Sequence, residues 1–490
     1  MIAAAATLLT LFMPQATPPA FELAPLFQSH MVLQRSTQAP FWGRGAPGAT
    51  VVVEASWAED ARASAVVDAR GEWRVVLATP QAGGPHRITV RGDVERVLED
   101  VLVGEVWLCS GQSNMEWALA PGPLGGVLDW QKEIARADHP RIRHFDTPNT
   151  VAHSEQRACG GTWEPCTPAS VGRFSAVAYF FAREIERELD VPVGLIHSSW
   201  SGTPIQSWMP ADVARRFEPC APSLAQVERA RAELPELTRE QQLGYDPRLP
   251  PVAASVLFNA MVAPHAPYAL RGFLWYQGEA DRALAPLYDT LQIALMEAWR
   301  ARFAVPNAPF YFVQIAPFLY EGDRGETGAL REAQRRVLRT PNTGMAVTLD
   351  VGDPQDIHPR NKQDVGKRLA RWALNRTYGR ADVVASGPLV REVVREGAKV
   401  RVSFDELGGG LISSADHLEG FELVDASGAV FKARAELDGE SVLLWRPECP
   451  EPVFAQYGYG AAMQPVLFNK AWLPAAAFRL PVAPAKAQAK

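Results

Sequence analysis

Apolar runs of strand length alternate with helical patterns through the middle of the chain, and this alternation constrains the fold most. One stripe with an apolar residue every fourth position follows Ser175 and runs to Leu189, and a second runs from Leu287 to Phe303. Buried-strand patterns follow the two stripes at 191–198 and 309–315. Strands and helices in alternation are typical of a parallel sheet that is covered by helices. The sequence therefore predicts an α/β sandwich over residues 101–380, in which further patterns indicate a helix at 330–338, a strand at 345–350 and a helix through 365–372.

Short alternating runs separated by turn residues flank this central region on both sides. They predict an N-terminal β-sandwich-like domain over residues 21–100 and a C-terminal β-rich domain over residues 381–482. Within the central region, residues 210–251 are charged, rich in helix formers and interrupted by prolines. They predict a helical insertion on the surface, with a lid over the site as the alternative interpretation.

One apolar run ends abruptly in a serine-containing turn. Residues 104–111 have the character of a buried strand, and the sequence Gly-Gln-Ser-Asn-Met follows from Gly111 to Met115. A strand that delivers a serine into a tight turn leaves the hydroxyl at the sheet edge, where a substrate can reach it. Ser113 is therefore the predicted nucleophile.

A serine hydroxyl needs a base to take its proton, and His358 is the leading candidate among nine histidines. Ester hydrolysis also builds negative charge on the carbonyl oxygen, so the site needs hydrogen-bond donors that are already in place. The Ser113 amide, the backbone at Gly202 and the side-chain amide of Gln277 are the predicted donors. All these residues follow apolar runs, although His358 does so less directly. Because ligands bind beyond the carboxyl ends of parallel strands, we expect these residues to meet at one edge of the sheet.

Three segments in this order resemble those of the sialate O-acetylesterase family, a branch of the SGNH hydrolases. They are 111–115 (Gly-Gln-Ser-Asn-Met), 275–279 (Trp-Tyr-Gln-Gly-Glu) and 356–359 (Asp-Ile-His-Pro). The resemblance implies an SGNH-like three-layer α/β/α sandwich with a parallel sheet. It also implies that acetyl esters on sugar hydroxyls are hydrolysed without a metal or an organic cofactor. In this family pattern Ser113 is the nucleophile, His358 the base, and Gly202 and Gln277 form the oxyanion hole.

The third member of the triad is where the sequence departs from the wider SGNH group. That group carries an aspartate three residues before the histidine, and Gln355 stands there in this chain. Asp356 is the predicted orienter of the imidazole, and Asp353 or a backbone carbonyl are the alternatives. A carboxylate at this place would hold the imidazole tautomer and stabilise the imidazolium.

Composition limits the partners and the location of the protein. The net charge is −6, from 49 basic and 55 acidic residues, and no long basic block favours nucleic acid as a partner. No apolar run of spanning length follows the N-terminus, so no membrane partner is predicted. Residues 1–20 are apolar and uncharged, which predicts a signal peptide and export to the periplasm or beyond. The cysteine count of five would leave at least one thiol free in an exported protein.

The predicted partner is an O-acetylated sugar or polysaccharide. The first interpretation is a serine esterase that acts like a sialate O-acetylesterase. An acetylxylan or other polysaccharide acetylesterase with the same machinery is the alternative, because xylan would need no arginine for a sugar carboxylate. A carbohydrate-binding protein that has lost activity is the alternative from another class, although Ser113, Gln277 and His358 are all present.

Overall fold

The computed structural model describes residues 20–122 and 125–485. The predicted signal peptide at 1–20 lies outside the described residues except for Ala20. The N-terminal strands are β1 (Glu22–Leu23), β2 (Val32–Gln34), β3 (Gln38–Arg44), β4 (Thr50–Ala55), β5 (Arg62–Val66), β6 (Glu72–Ala78), β7 (Gly83–Arg91) and β8 (Glu95–Gly111). The central strands are β9 (His139–Asp146), β10 (Trp163–Cys166), β11 (Val193–Ser199), β12 (Gly272–Tyr276), β13 (Phe310–Val313) and β14 (Thr343–Ala346).

The remaining strands and the helices complete the chain. The C-terminal strands are β15 (Leu389–Glu396), β16 (Lys399–Asp405), β17 (Leu411–Ser413), β18 (Phe421–Val424), β19 (Val430–Lys432), β20 (Arg434–Asp438), β21 (Ser441–Trp445), β22 (Phe454–Tyr457), β23 (Leu467–Asn469) and β24 (Phe478–Pro481). The α-helices are α1 (Ser113–Glu116), α2 (Trp130–Ala135), α3 (Ala176–Leu189), α4 (Ala211–Ala214), α5 (Ala221–Glu233), α6 (Arg239–Gln242), α7 (Ala285–Arg302), α8 (Glu326–Arg336) and α9 (Lys362–Trp372). Short 3₁₀ or π turns occupy Val171–Arg173, Ile205–Trp208, Glu218–Cys220, Phe258–Val262, Ala263–His265, Glu279–Leu284, Val337–Arg339 and Ala373–Thr377.

The central sheet has the strand order β10-β9-β11-β8-β12-β13-β14. Neighbours from β9 to β14 in this order are parallel, whereas the edge strand β10 runs antiparallel to β9. Strand β8 also pairs antiparallel with β7 through its first half, so one long strand joins the N-terminal strands to the central sheet. The sheet is therefore mixed and not purely parallel as predicted, and the predicted boundary at 100/101 falls inside β8.

Alternate side chains of the central strands face two different sets of helices. Trp107 and Cys109 of β8 pack in one apolar cluster with α3 and α9, and Leu108 packs in another with α7 and α8. This alternation follows from the two-residue period of a strand. The sheet is thus buried on both faces, and only its two ends are left for loops that carry polar residues.

The predicted helices begin and end close to the predicted positions. Ser175 caps α3, because its Oγ accepts a hydrogen bond from the Ala178 amide at 3.3 Å. The stripe predicted from Leu287 is buried in α7 from Leu291 onward, but Leu287 itself is 39% exposed. The strand predicted at 345–350 differs, because β14 spans Thr343–Ala346. Its partner β13 ends at Val313, which pairs with Ala346, so no neighbour remains for the residues that follow.

The flanking regions are β-rich, and the 210–251 segment contains α4, α5 and α6. The C-terminal strands form two four-stranded sheets, β15-β16-β21-β20 and β19-β18-β22-β24, and a β17-β23 pair. All five cysteines are free. Within residues 20–122 and 125–485, no helix has the length and apolar character needed to cross a membrane.

Candidate active site

The predicted nucleophile begins a helical turn at the carboxyl end of β8. Gly111 has φ +146°, and a Cβ there would collide with the Tyr276 carbonyl, so only glycine fits where β8 ends. Ser113 follows as the first residue of α1 and is 8% exposed. The Gln112 amide donates to the Tyr276 carbonyl at 3.0 Å. The turn is therefore fixed against β12, which ends in the second motif.

Three of the predicted site residues follow strands that end at one level of the sheet. Gly111 is in register with Ser199 of β11 on one side and with Tyr276 of β12 on the other. Gly202 and Gln277 come within a few residues of those strand ends. The structure thus brings Ser113, Gly202 and Gln277 to one edge of the sheet, as expected of residues that each follow an apolar run.

The His358 turn lies against the Ser113 turn through two contacts. The Trp117 ring stacks on the His358 imidazole, with 5.0 Å between ring centroids and 27° between their planes. The Asn114 side chain donates a hydrogen bond to the Ile357 carbonyl at 3.1 Å. Because Asn114 follows Ser113 and Ile357 precedes His358, these contacts bring the turns of the predicted nucleophile and the predicted base together.

The surroundings of His358 favour the neutral imidazole, which is the form that a general base needs. Burial and the positive charge of Lys362 lower the pKa of His358 below its usual 6.5, and Asp356 opposes them. The imidazole is therefore neutral near pH 7 and can accept a proton. Within the described residues no side chain forms a hydrogen bond with the ring, so a nitrogen is left for the serine hydroxyl.

Asp356 contacts the backbone of the His358 turn and not its ring. Its Oδ1 accepts a hydrogen bond from the His358 amide at 2.9 Å and lies 4.0 Å from Nδ1, beyond hydrogen-bond range. This geometry favours a role in shaping the turn. Orientation of the imidazole by Asp356 stays a prediction, and the stacked Trp117 ring is what restricts the imidazole here.

Gly202 lies in an exposed loop that is attached to α1, the helix that begins with Ser113. Glu116 in α1 accepts hydrogen bonds from the Ser201 amide at 2.6 Å and from the Ser201 hydroxyl at 2.5 Å. Gly202 has φ +71°, which favours glycine, and a Cβ there would meet nothing within 4 Å. No described residue accepts a hydrogen bond from the Ser113 or Gly202 amide, so both N–H groups are available to a substrate oxygen.

Gln277 lies behind the Gly202 loop and is fully buried. Its amide nitrogen donates to the Thr203 carbonyl at 3.2 Å and to Asp281 Oδ2 at 2.5 Å. Its Oε1 accepts from the Tyr288 hydroxyl at 2.6 Å. Both amide hydrogens are thus committed within the fold, and direct donation to an oxyanion, which stays a prediction, would require one of these bonds to break. The observed contacts place Gln277 as a support for the residue after Gly202.

Comparison with known proteins identifies the family of the chain. Residues 103–237 and 252–375 match the family described as "Carbohydrate esterase, sialic acid-specific acetylesterase". The chain belongs to this family. It is 31% identical over 424 residues to the sialate O-acetylesterase of Rattus norvegicus, covering 76% of each chain. It is 30% identical over 410 residues to the human sialate O-acetylesterase, covering 76% of this chain and 74% of the human one.

A solved structure supports the same assignment. A carbohydrate acetylesterase from Xanthomonas citri is 34% identical, with a TM-score of 0.82, and the match covers 94% of this chain and 99% of that one. As a member of the acetylesterase family, the chain is a carboxylic ester hydrolase that removes O-acetyl groups from carbohydrate. The resemblance inferred from the three motifs is thereby confirmed.

Several polar residues of this acetylesterase site are missing from the sequence-based prediction. Asn114 and Glu279 belong to the motifs at 111–115 and 275–279, and this position indicates a place near the site. The sequence does not show which residues they contact. Lys362 and Glu116 lie outside the predicted set, and their contacts join segments that are far apart in the chain. Such contacts follow from the sheet order, which motif spacing alone does not give.

Proposed function

We propose that this acetylesterase uses Ser113 as its nucleophile and His358 as its general base. The contact between the two turns, through Trp117 stacking and the Asn114 bond to Ile357, carries the proposal. The lowered pKa of His358 supports the base role, because the neutral imidazole is the form that removes a proton.

The reaction follows in two steps. His358 takes the Ser113 proton as Oγ attacks the acetyl carbonyl, and the Ser113 and Gly202 N–H groups stabilise the developing oxyanion. The C–O bond to the sugar then breaks, and the imidazolium gives its proton to the leaving sugar oxygen. In the second step His358 removes a proton from water, which attacks the acetyl-serine. Acetate leaves, and the proton returns to Ser113.

The wider fold and the location are part of the proposal. The helix layers on both faces of the sheet support an SGNH-type three-layer sandwich. The apolar, uncharged residues 1–20 support export to the periplasm or outside the cell. Determination of the N-terminal residue of the protein recovered from its natural host would test export, since a signal peptide is removed.

The proposed substrate is an O-acetylated sialic acid, with acetylated xylan as the alternative. The names of the curated relatives support sialic acid, and a sugar carboxylate calls for a free arginine. Arg282 is committed, because its guanidinium lies 3.1 Å from Asp323 and 3.4 Å above the centre of the Tyr320 ring. Arg360 is exposed, stands two residues after His358, and has no carboxylate partner among the described residues.

Acetate release from an O-acetylated sialic acid and from acetylated xylo-oligosaccharide, measured side by side, tests the substrate. For the sialic acid, Arg360→Ala is expected to raise KM about 10- to 100-fold, because a charge-assisted hydrogen bond contributes about 1.5–3 kcal/mol. The xylo-oligosaccharide is neutral at the acetylated ring and serves as the internal control. If the Arg360→Ala variant hydrolysed each substrate at the same rate as the parent enzyme, Arg360 would not bind the sugar carboxylate. Release from the xylo-oligosaccharide alone would favour the alternative substrate.

A further inference from the structure

Three segments of the site meet in a buried polar cluster made of Asn114, Glu279 and Lys362. The Asn114 amide nitrogen donates to Glu279 Oε1 at 2.7 Å, in addition to its bond to the Ile357 carbonyl. Its Oδ1 accepts from Lys362 Nζ at 2.5 Å. Each member of the cluster comes from a different part of the chain: the Ser113 turn, the short 3₁₀ turn that follows β12, and the start of α9.

The cluster holds the backbone on both sides of His358. Asn114 binds the Ile357 carbonyl, and Lys362 Nζ donates to the Pro359 carbonyl at 2.7 Å. Asn114 thus binds the residue before His358 directly, and its contact with Lys362 ties it to the residue after His358. A shift of Lys362 would move the imidazole relative to the serine hydroxyl.

We propose that Lys362 is a positioning residue of the esterase, which fixes His358 against Ser113 through Asn114 and Pro359. The proposal rests on the assignment of Ser113 and His358 as nucleophile and base. Lys362 is fully buried, so it acts on the base and not on the substrate.

The surroundings of Lys362 give it a second effect, through its charge. Its Nζ lies 5.6 Å from the centre of the Trp117 ring and 5.8 Å from that of Tyr276, in a position suited to cation–π attraction. Two carboxylates act on this pair of residues: Glu279 and Asp356 act on Lys362, and Asp356 also acts on His358. Burial of a charged ammonium costs free energy, and an apolar side chain would fill the same space without that cost. A lysine at this position therefore favours a role beyond packing.

The charge of Lys362 supports the neutral form of His358. Burial lowers the pKa of Lys362 to about 7, so the ammonium is charged at the more acidic pH at which His358 titrates. A cation nearby disfavours imidazolium and lowers the pKa of His358. Since the acid limb of kcat/KM reports protonation of the free base, loss of Lys362 is expected to move that limb to higher pH.

The test compares Lys362→Met with Lys367→Met in the full-length enzyme, with 4-nitrophenyl acetate as the probe. Lys367 is in the same helix, its side chain is 45% exposed, and it lies 3.9 Å from Asp364, away from the cluster. Lys362→Met is expected to lower kcat about 100-fold, the effect of a small misplacement of a catalytic group, with KM within twofold of the parent. The acid limb of kcat/KM should move upward, and Lys367→Met should leave kcat, KM and the limb unchanged.

A merely structural lysine would give a different result. Lost folding would lower the active-site titre and leave kcat per active site and the acid limb at their parental values, which would overturn the proposal. Unchanged kcat in a folded Lys362→Met variant would overturn it as well. If that variant does not fold, Asn114→Ala is used instead, because it removes the hydrogen bond between residue 114 and Lys362 and keeps the charge of the lysine. It should lower kcat at least tenfold without moving the limb, and parental kcat would overturn the proposal.

The parent enzyme and Ser113→Ala are assayed together with these variants to separate two failures. If the parent is inactive, or Ser113→Ala is as active as the parent, the proposed mechanism fails. If Ser113 is essential and the Lys362 and Asn114 variants keep the parental kcat and acid limb, only the positioning role fails.

Discussion

Replacement of Ser113 by alanine is expected to lower kcat for acetate release by about 10⁴- to 10⁶-fold, the range found when a catalytic serine or its base is removed. The alanine has no oxygen to form the acetyl-enzyme, so only the oxyanion-hole donors and substrate binding would still assist the reaction with water. Because the proposed role of Ser113 is to form a bond and not to bind the sugar, KM should change far less than kcat. Initial rates of acetate release at saturating substrate measure this effect.

Ser110→Ala is the matched control for this variant. Ser110 is three residues earlier, in β8, is fully buried, and its hydroxyl has no hydrogen-bond partner among residues 20–122 and 125–485. Its removal should leave kcat unchanged and should not lower the midpoint of unfolding, since an unpaired buried hydroxyl is unfavourable. If Ser113→Ala and Ser110→Ala had the same kcat as the parent, Ser113 would not be the nucleophile.

Replacement of His358 by alanine is expected to have an effect of the same size, a loss of about 10⁴- to 10⁶-fold in kcat. The serine hydroxyl would then have no base, and within the described residues no side chain forms a hydrogen bond with that hydroxyl that could replace His358. The stacked Trp117 would lose its partner, so the unfolding midpoint is recorded for this variant to separate catalysis from stability. His417→Ala, an exposed position in the C-terminal region, serves as the control and should keep the parental rate.

The pH dependence of the parent enzyme provides a second test of His358. Burial and Lys362 lower its pKa, so the base form persists to more acidic pH than in a free histidine. The acid limb of kcat/KM should therefore have its midpoint below 6.5, the usual pKa of histidine. A midpoint well above that value would mean that another group is the base or that the imidazole is stabilised in its charged form.

Much of the site follows from the sequence because its parts depend on local patterns. Ser113, Gly202 and Gln277 each come soon after an apolar run, and parallel strands end at one edge, so their convergence could be predicted. The helix stripes that pack on the sheet are equally local, since a period of about four residues is visible in the sequence. These features need no knowledge of which strand lies beside which.

The rest of the site depends on contacts that the sequence does not record. Lys362 and Asn114 are 248 residues apart, and only the strand order brings them together. Gln277 has the amide expected of an oxyanion-hole donor, but burial beside Thr203 and Asp281 uses both of its hydrogens. Asp356 stands near His358 in sequence, yet the direction of the turn aims its carboxylate at a backbone amide. The antiparallel pairings of β7 with β8 and of β10 with β9, which make the sheet mixed, are likewise contacts that the sequence does not record.

Reaction with a fluorophosphonate, followed by peptide mapping and residual acetate release from an O-acetylated carbohydrate, tests the central claim most directly. A serine activated by His358 should take up one phosphonyl group per chain, at Ser113. The remaining activity should fall in proportion to the fraction of chains labelled, and Ser113→Ala should take up none. Labelling of a different residue, or full activity in a chain whose Ser113 is completely labelled, would contradict the assignment of Ser113 as the nucleophile of this acetylesterase.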